Sequence, residues 1–159
     1  MDFRQRLQIA TERGKRARDE REQREAAAAM SEEELRRLHS NYRLELTDHI
    51  EHCLAQLSDN FPGFRYETVM EERGWGGAVT RDDLVLDRGK RNNAYSRVQL
   101  LVGTFNTYHV LELTAKGAVR NKENFNRQFF RKLDDTDLDE FKQIIERWVL
   151  DYAELFAAA

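Results

Sequence analysis

An α+β fold is what this sequence predicts: an antiparallel meander sheet of four to five strands, covered on one face by a long N-terminal helix and a C-terminal amphipathic helix. Three observations lead there. Residues 95–103 and 108–117 alternate in polarity as two strands of a hairpin. Apolar residues from Leu35 to Leu57 recur at helical spacing, and those from Leu138 to Leu155 do so again. The only proline, Pro62, sits in a break between helical and period-two patterns.

The hairpin is the most legible stretch. If Gly103 faces Tyr108 across the loop Thr104–Thr107, Val102 lies opposite His109, Leu100 opposite Leu111 and Val98 opposite Leu113. One face is then apolar on both strands, while Gln99 with Glu112 and Arg97 with Thr114 occupy the other. A one-residue slip scrambles this sorting.

Before the hairpin, residues 2–29 are rich in Arg, Glu, Gln and Ala and favour helix by propensity. Phe3, Leu7, Ala10, Gly14 and Ala17 follow heptad spacing, but the seam then runs into Arg21 and Arg24. Residues 1–30 therefore form a charged helical extension without a core face, and residues 31–159 a single α+β domain with helix 31–58, sheet 64–132 and helix 136–157. Ser31 and Glu34 make a capping-box pattern that starts or reinforces a helix. Phe64, Tyr66, Thr68 and Met70 alternate as a first strand. Gly74–Gly77 reads as a turn, Ala78–Leu86 as a second strand, and Asp87–Asn93 as a loop. Phe125, Phe129 and Leu133 suit either a fifth strand or a helical turn. Thr136 is the expected N-cap of the last helix.

A chain of 159 residues with 35% charged side chains and a net charge of −3 excludes a membrane span, since no apolar run reaches the required length of about 20 residues. The N-terminus lacks an apolar signal core, so a cytoplasmic address is expected. Cys53 is the single cysteine, which excludes an internal disulfide and a multi-thiolate metal site. Charge is uneven along the chain: residues 1–58 carry −1, 59–133 carry +4 and 134–159 carry −6.

His49 and Cys53 share a helical face with Glu45 one turn earlier, three donors of metal-binding type, but no fourth ligand is nominated by spacing. The plainer reading makes His49 and Cys53 boundary residues of the Leu46, Ile50, Leu54 stripe, with no metal and no cofactor. Serine-hydrolase elbows, phosphate-binding glycine loops and zincin motifs are absent. The informative feature is basic. In a meander the loops flanking the hairpin meet at one sheet end, which gathers Arg88, Lys90, Arg91, Arg120 and Lys122, with Lys116 opposite Tyr95 and Arg127 nearby. These seven cations are the candidate anion- or partner-binding residues. The expected function is a non-catalytic protein-interaction or assembly module, acting with a protein partner or by self-association through the N-terminal helix and this sheet end. Nucleic-acid binding through loops 88–97 and 116–132 is the first alternative. A small-molecule or enzymatic cleft between sheet and helices, lined by His109, Trp75 and Trp148, is the second.

Overall fold

The computed structural model describes Asp2–Ala159, the side chains of Ala29 and Met30 excepted. Met1, the first residue of the expected extension, lies outside the description. The elements run α1 (Phe3–Asn60), β1 (Arg65–Glu71), β2 (Gly74–Asp87), β3 (Lys90–Gly103), β4 (Val110–Val119), β5 (Lys122–Lys132), a 3-10 turn (Leu133–Asp135) and α2 (Leu138–Ala158). The strands form one open antiparallel sheet in the order β1-β2-β3-β4-β5, so the fold is α+β with a simple meander. No helix among the described residues is long and apolar enough to cross a membrane.

The chain divides into two units, Met1–Arg37 and Leu38–Ala159, and the division falls inside α1. In the first unit the helix begins where Asp2 can cap it. Gln5 N–H donates to Asp2 Oδ1 (2.8 Å) and Asp2 N–H donates back to Gln5 Oε1 (3.3 Å), a reciprocal capping box. The Ser31–Glu34 pattern is not a start, because helix already precedes it. Along this unit Glu33 and Arg37 pair at 3.2 Å across one turn.

In the second unit, the part of α1 after Arg37 buries His39, Leu46, Ile50, Leu54 and Leu57. From α2, Phe141, Ile145, Trp148, Val149, Tyr152 and Phe156 are buried. Both stripes cover the sheet face that carries Val79, Val98, Leu100, Val102, Leu111, Leu113 and Phe125. Edge-to-face ring pairs mark the seam: Phe129 with Phe141 (4.9 Å), Phe125 with Tyr152 (5.7 Å) and Phe64 with Phe156 (4.9 Å). The Tyr152 hydroxyl, fully buried, donates to Ala118 O at 2.7 Å. His39 is also buried, and since a carbonyl can only accept, its Nε2 carries the proton donated to Gly103 O (3.0 Å).

Several expectations are corrected. Gly74–Gly77 belongs to β2, whose Gly76 lies so close to the neighbouring strand that an added Cβ would stand 1.8 Å from Leu100 O. The expected loop 87–93 is mostly strand, and the reversal is made by Arg88 (φ 51°) and Gly89 (φ 79°) alone. Two consecutive left-handed residues give the turn whose twist matches a hairpin. Residues 122–132 form strand, not helix.

The 95–117 hairpin has its faces as expected but not its pairing. Val102 lies opposite Leu113, Leu100 opposite Ala115, Gln99 opposite Lys116 and Val98 opposite Gly117. The connection is longer than a four-residue loop because Asn106 organises it: its Oδ1 accepts from Tyr108 N (3.0 Å) and Val110 N (3.4 Å), and His109 takes φ 55°. His109 is thus a loop residue and does not face Val102. At α2 the N-cap is Asp137, which accepts from Asp139 N at 3.0 Å. Thr136 instead donates to Lys132 O at 2.7 Å.

The buried contacts give magnitudes. Phe141→Ala should lower the unfolding free energy by about 3–5 kcal/mol, and Tyr152→Phe, which removes the buried hydroxyl donor to the Ala118 carbonyl, by about 1–3 kcal/mol. Gly76→Ala forces the Leu100 backbone aside and should abolish the cooperative transition. Urea denaturation followed by far-ultraviolet circular dichroism checks all three.

Candidate functional site

Period-two alternation leaves the second face of the sheet to polar side chains, and the register assembles them into rows. One row crosses all the strands as Glu67, Ala78, Gln99, Lys116 and Asn126, and the next as Val69, Gly76, Leu101, Thr114 and Gln128. Val69, Ala78 and Leu101, on β1, β2 and β3, form a small buried apolar cluster on this face. Around it, Arg97 is held by three side-chain partners. It pairs with Glu67, donating from Nη1 at 2.6 Å, and also reaches Thr80 Oγ1 (3.0 Å) and Gln99 Oε1 (2.8 Å).

Two grooves lie on this side. One, of 480 Å3, is bordered by Tyr95, Arg97, Lys116, Glu123 and Asn126. The other, of 360 Å3, is bordered by Arg73, Glu112, Lys116, Arg127 and Gln128. Lys116 and Asn126 line both, and Lys116 is exposed with no ion-pair partner among the described residues. The alternation of Arg97 and Gln99 with apolar neighbours already signalled a polar face. Asn126 and Gln128 lacked such a signal while β5 was undecided between strand and helix.

The seven sequence-predicted cations are not brought together. The turn Arg120-Asn121, left-handed at both residues (φ 48° and 71°), docks on β3: Asn121 Oδ1 accepts from Tyr95 N (2.8 Å), Asn121 Nδ2 donates to Asn93 O (2.8 Å) and Arg120 N donates to Ser96 Oγ (2.9 Å). Lys90, the first residue of β3, lies three residues beyond Asn93, roughly 10 Å at about 3.4 Å per residue, and Arg88 lies further still in the turn. Arg88, Lys90 and Arg91 therefore occupy the tip of the β2–β3 hairpin, whose end beyond Leu84↔Asn93 is paired only within itself and exposes Leu86. Arg120 and Lys122 form a second group beside Tyr95. Lys116 faces Gln99 rather than Tyr95, and Arg127 stacks on Phe125 at 4.5 Å. The acidic α2 pairs with a different cation, Arg131, through Glu140 (3.0 Å).

The residues expected to line a cleft are placed apart in role. Trp148 is buried in the core, Trp75 lies under the Arg43 guanidinium at 3.5 Å, and His109 stands beside Phe105 in the β3–β4 loop. None of the three lines the grooves described.

Between the helices, His49 and Cys53 meet Glu146 of α2, not Glu45. One donor atom from each of the three lies within 4.8 Å of the other two. Glu45 is drawn to Lys142 instead (3.7 Å). His49 Nε2 is 3.4 Å from Glu146 Oε1, within ion-pairing reach, yet it is sealed from solvent and has no aligned hydrogen bond. Burial, and then the neighbouring Glu146 carboxylate, push the Cys53 thiol up to about 11. No protein family, curated protein or solved structure matches this chain.

The thiol makes a direct prediction. Since the folded-state value is raised, the proton is held in the native state while an unfolded cysteine loses it near its ordinary value. This contribution to stability is fully present below pH about 9 and is lost as pH rises towards about 11. Alkylation of native Cys53 should accordingly be slow at neutral pH and accelerate up to pH about 11. A rate that levels off near pH 8.5, the region of a free thiol, would contradict this environment.

Proposed function

We propose that the chain is a non-catalytic protein-interaction module whose main contact element is the helical unit ending at Arg37, with the basic tip of the β2–β3 hairpin at Arg88, Lys90 and Arg91 as a secondary surface. The supporting observation is the exposure of every residue from Asp2 to Ala28 in a segment that is helical from Phe3 onward. Phe3, Leu7 and Ile9 are 69%, 54% and 39% exposed. A helix without a buried face draws its stability only from propensity, its cap and pairs such as Glu33–Arg37, each worth a few tenths of a kcal/mol by order of magnitude. Packing against another helix supplies what these do not.

The chemistry of the segment agrees with such a contact. Phe3 and Leu7 offer large apolar side chains at heptad positions, and Ala10, Gly14 and Ala17 continue the same seam with small ones that allow close approach. Nothing lies within 4 Å of a Cβ placed on Gly14. Mixed charges flank the seam and suit pairing across a helix–helix contact.

Two measurements test this reading. Light scattering of the full chain should give a mass above that of one chain, or affinity capture should recover a partner that residues 31–159 alone do not. Phe3→Ala with Leu7→Ala should weaken either association by at least about tenfold, since each such side chain contributes roughly 1.5–3 kcal/mol when fully buried. A monomeric full chain whose captured partners are identical to those of the shortened chain overturns the proposal.

A further inference from the structure

We infer that His49, Cys53 and Glu146 form a binding site for a divalent transition-metal ion, with zinc the best chemical match, that ties α1 to α2 and leaves one coordination position open to water. The inference rests on the coincidence of three donor types from two helices. His49 and Cys53 stand one turn apart on α1, so the fold of the helix alone puts imidazole and thiol side by side. Glu146 is brought to them only by the docking of α2. Their donor atoms already lie within 4.8 Å of one another.

Zinc–ligand bonds of about 2.0–2.3 Å in a tetrahedron put neighbouring donors roughly 3.3–3.8 Å apart. The inward movement needed is small. Glu146 is 54% exposed and can supply it by rotation about its side-chain bonds. Imidazole and thiolate select zinc or cobalt over calcium and magnesium, which prefer all-oxygen sites. On binding, the Cys53 proton passes to solvent, and thiolate plus carboxylate balance the charge of the ion.

A second observation points to the same place. His49 Nε2 is sealed from solvent without a hydrogen bond, whereas buried polar atoms are almost always satisfied. A metal ion in the cluster would give that nitrogen a partner. Neighbouring donors are engaged elsewhere, Glu45 with Lys142 and His52 Nε2 with Gln56 Nε2 (2.9 Å), which leaves three protein ligands and not four. A 720 Å3 groove bordered by Asp48, His49, His52 and Lys142 lies against the His49 side of the cluster.

Cobalt(II) titration of the full chain, stripped with a chelator beforehand, tests the site. The expected result is saturation at one equivalent with a thiolate-to-cobalt charge-transfer band, displaced by zinc. Cys53→Ser should lose the band. His49→Gln and Glu146→Gln should each weaken binding by about tenfold or more, because loss of a ligand should cost no less than the loss of a group that merely orients one. In the unsubstituted chain, equimolar zinc should slow alkylation of Cys53 by at least about tenfold, a readout that does not depend on any variant folding. Absence of saturable binding, a charge-transfer band that survives Cys53→Ser, unchanged affinity in both other variants, or unprotected Cys53 each overturns the site and leaves a plain side-chain contact between His49 and Glu146.

Discussion

Burial of one face of the sheet is the constraint on which the rest of this structure depends. Val79, Val98, Leu100, Val102, Leu111 and Leu113 all project to the same side, and a meander of these strands with that face in water would not hold together. The segment of α1 after Arg37 and the whole of α2 meet this requirement, with aromatic pairs at the seam and the Tyr152 hydroxyl tying α2 to the bulged end of β4 at Ala118. Covering one face with helices leaves the opposite face free, so the polar rows through Lys116 and Gln99 are a consequence of the same packing.

The pattern of side chains was legible where period and composition decide it. Alternation placed the hairpin residues on their correct faces, and helical spacing found Leu46, Ile50, Leu54, Phe141, Ile145, Trp148 and Tyr152, all buried. Pairing was a different matter. Side-chain alternation specifies register only up to an even shift, and the observed partners differ from the expected ones by such a shift. Faces survive an even shift; neighbours do not. The deciding interactions are the Asn106 side-chain bonds that lengthen the β3–β4 connection, and these depend on a loop conformation that composition does not reveal. Arg88-Gly89 and Arg120-Asn121 were hidden for a related reason, since non-glycine residues with positive φ are uncommon and only the hairpin geometry calls for them.

The candidate surfaces show the same division. Each basic residue was visible in the chain, but their grouping depended on strand lengths. Because β2 and β3 extend well past the turn at Arg120-Asn121, one supposed patch becomes a hairpin tip and a separate pair beside Tyr95. The His49–Cys53 pair was likewise readable from spacing within one helix, while its third neighbour was not: Glu45 shares the helix but pairs with Lys142, and Glu146 arrives from a helix almost a hundred residues away.

By itself the sequence determined the types of the helices and of the first four strands, the two apolar helical stripes, the sidedness of both strands in the central hairpin and the absence of a long apolar span. These are local properties, set by side-chain periodicity, propensity and the turn-forming residues of short segments. Tertiary structure alone decided the strand partners, the separation of the basic groups and the meeting of His49, Cys53 and Glu146. All of these depend on distances between residues far apart in the chain, and such distances follow from loop geometry and helix docking rather than from any local pattern.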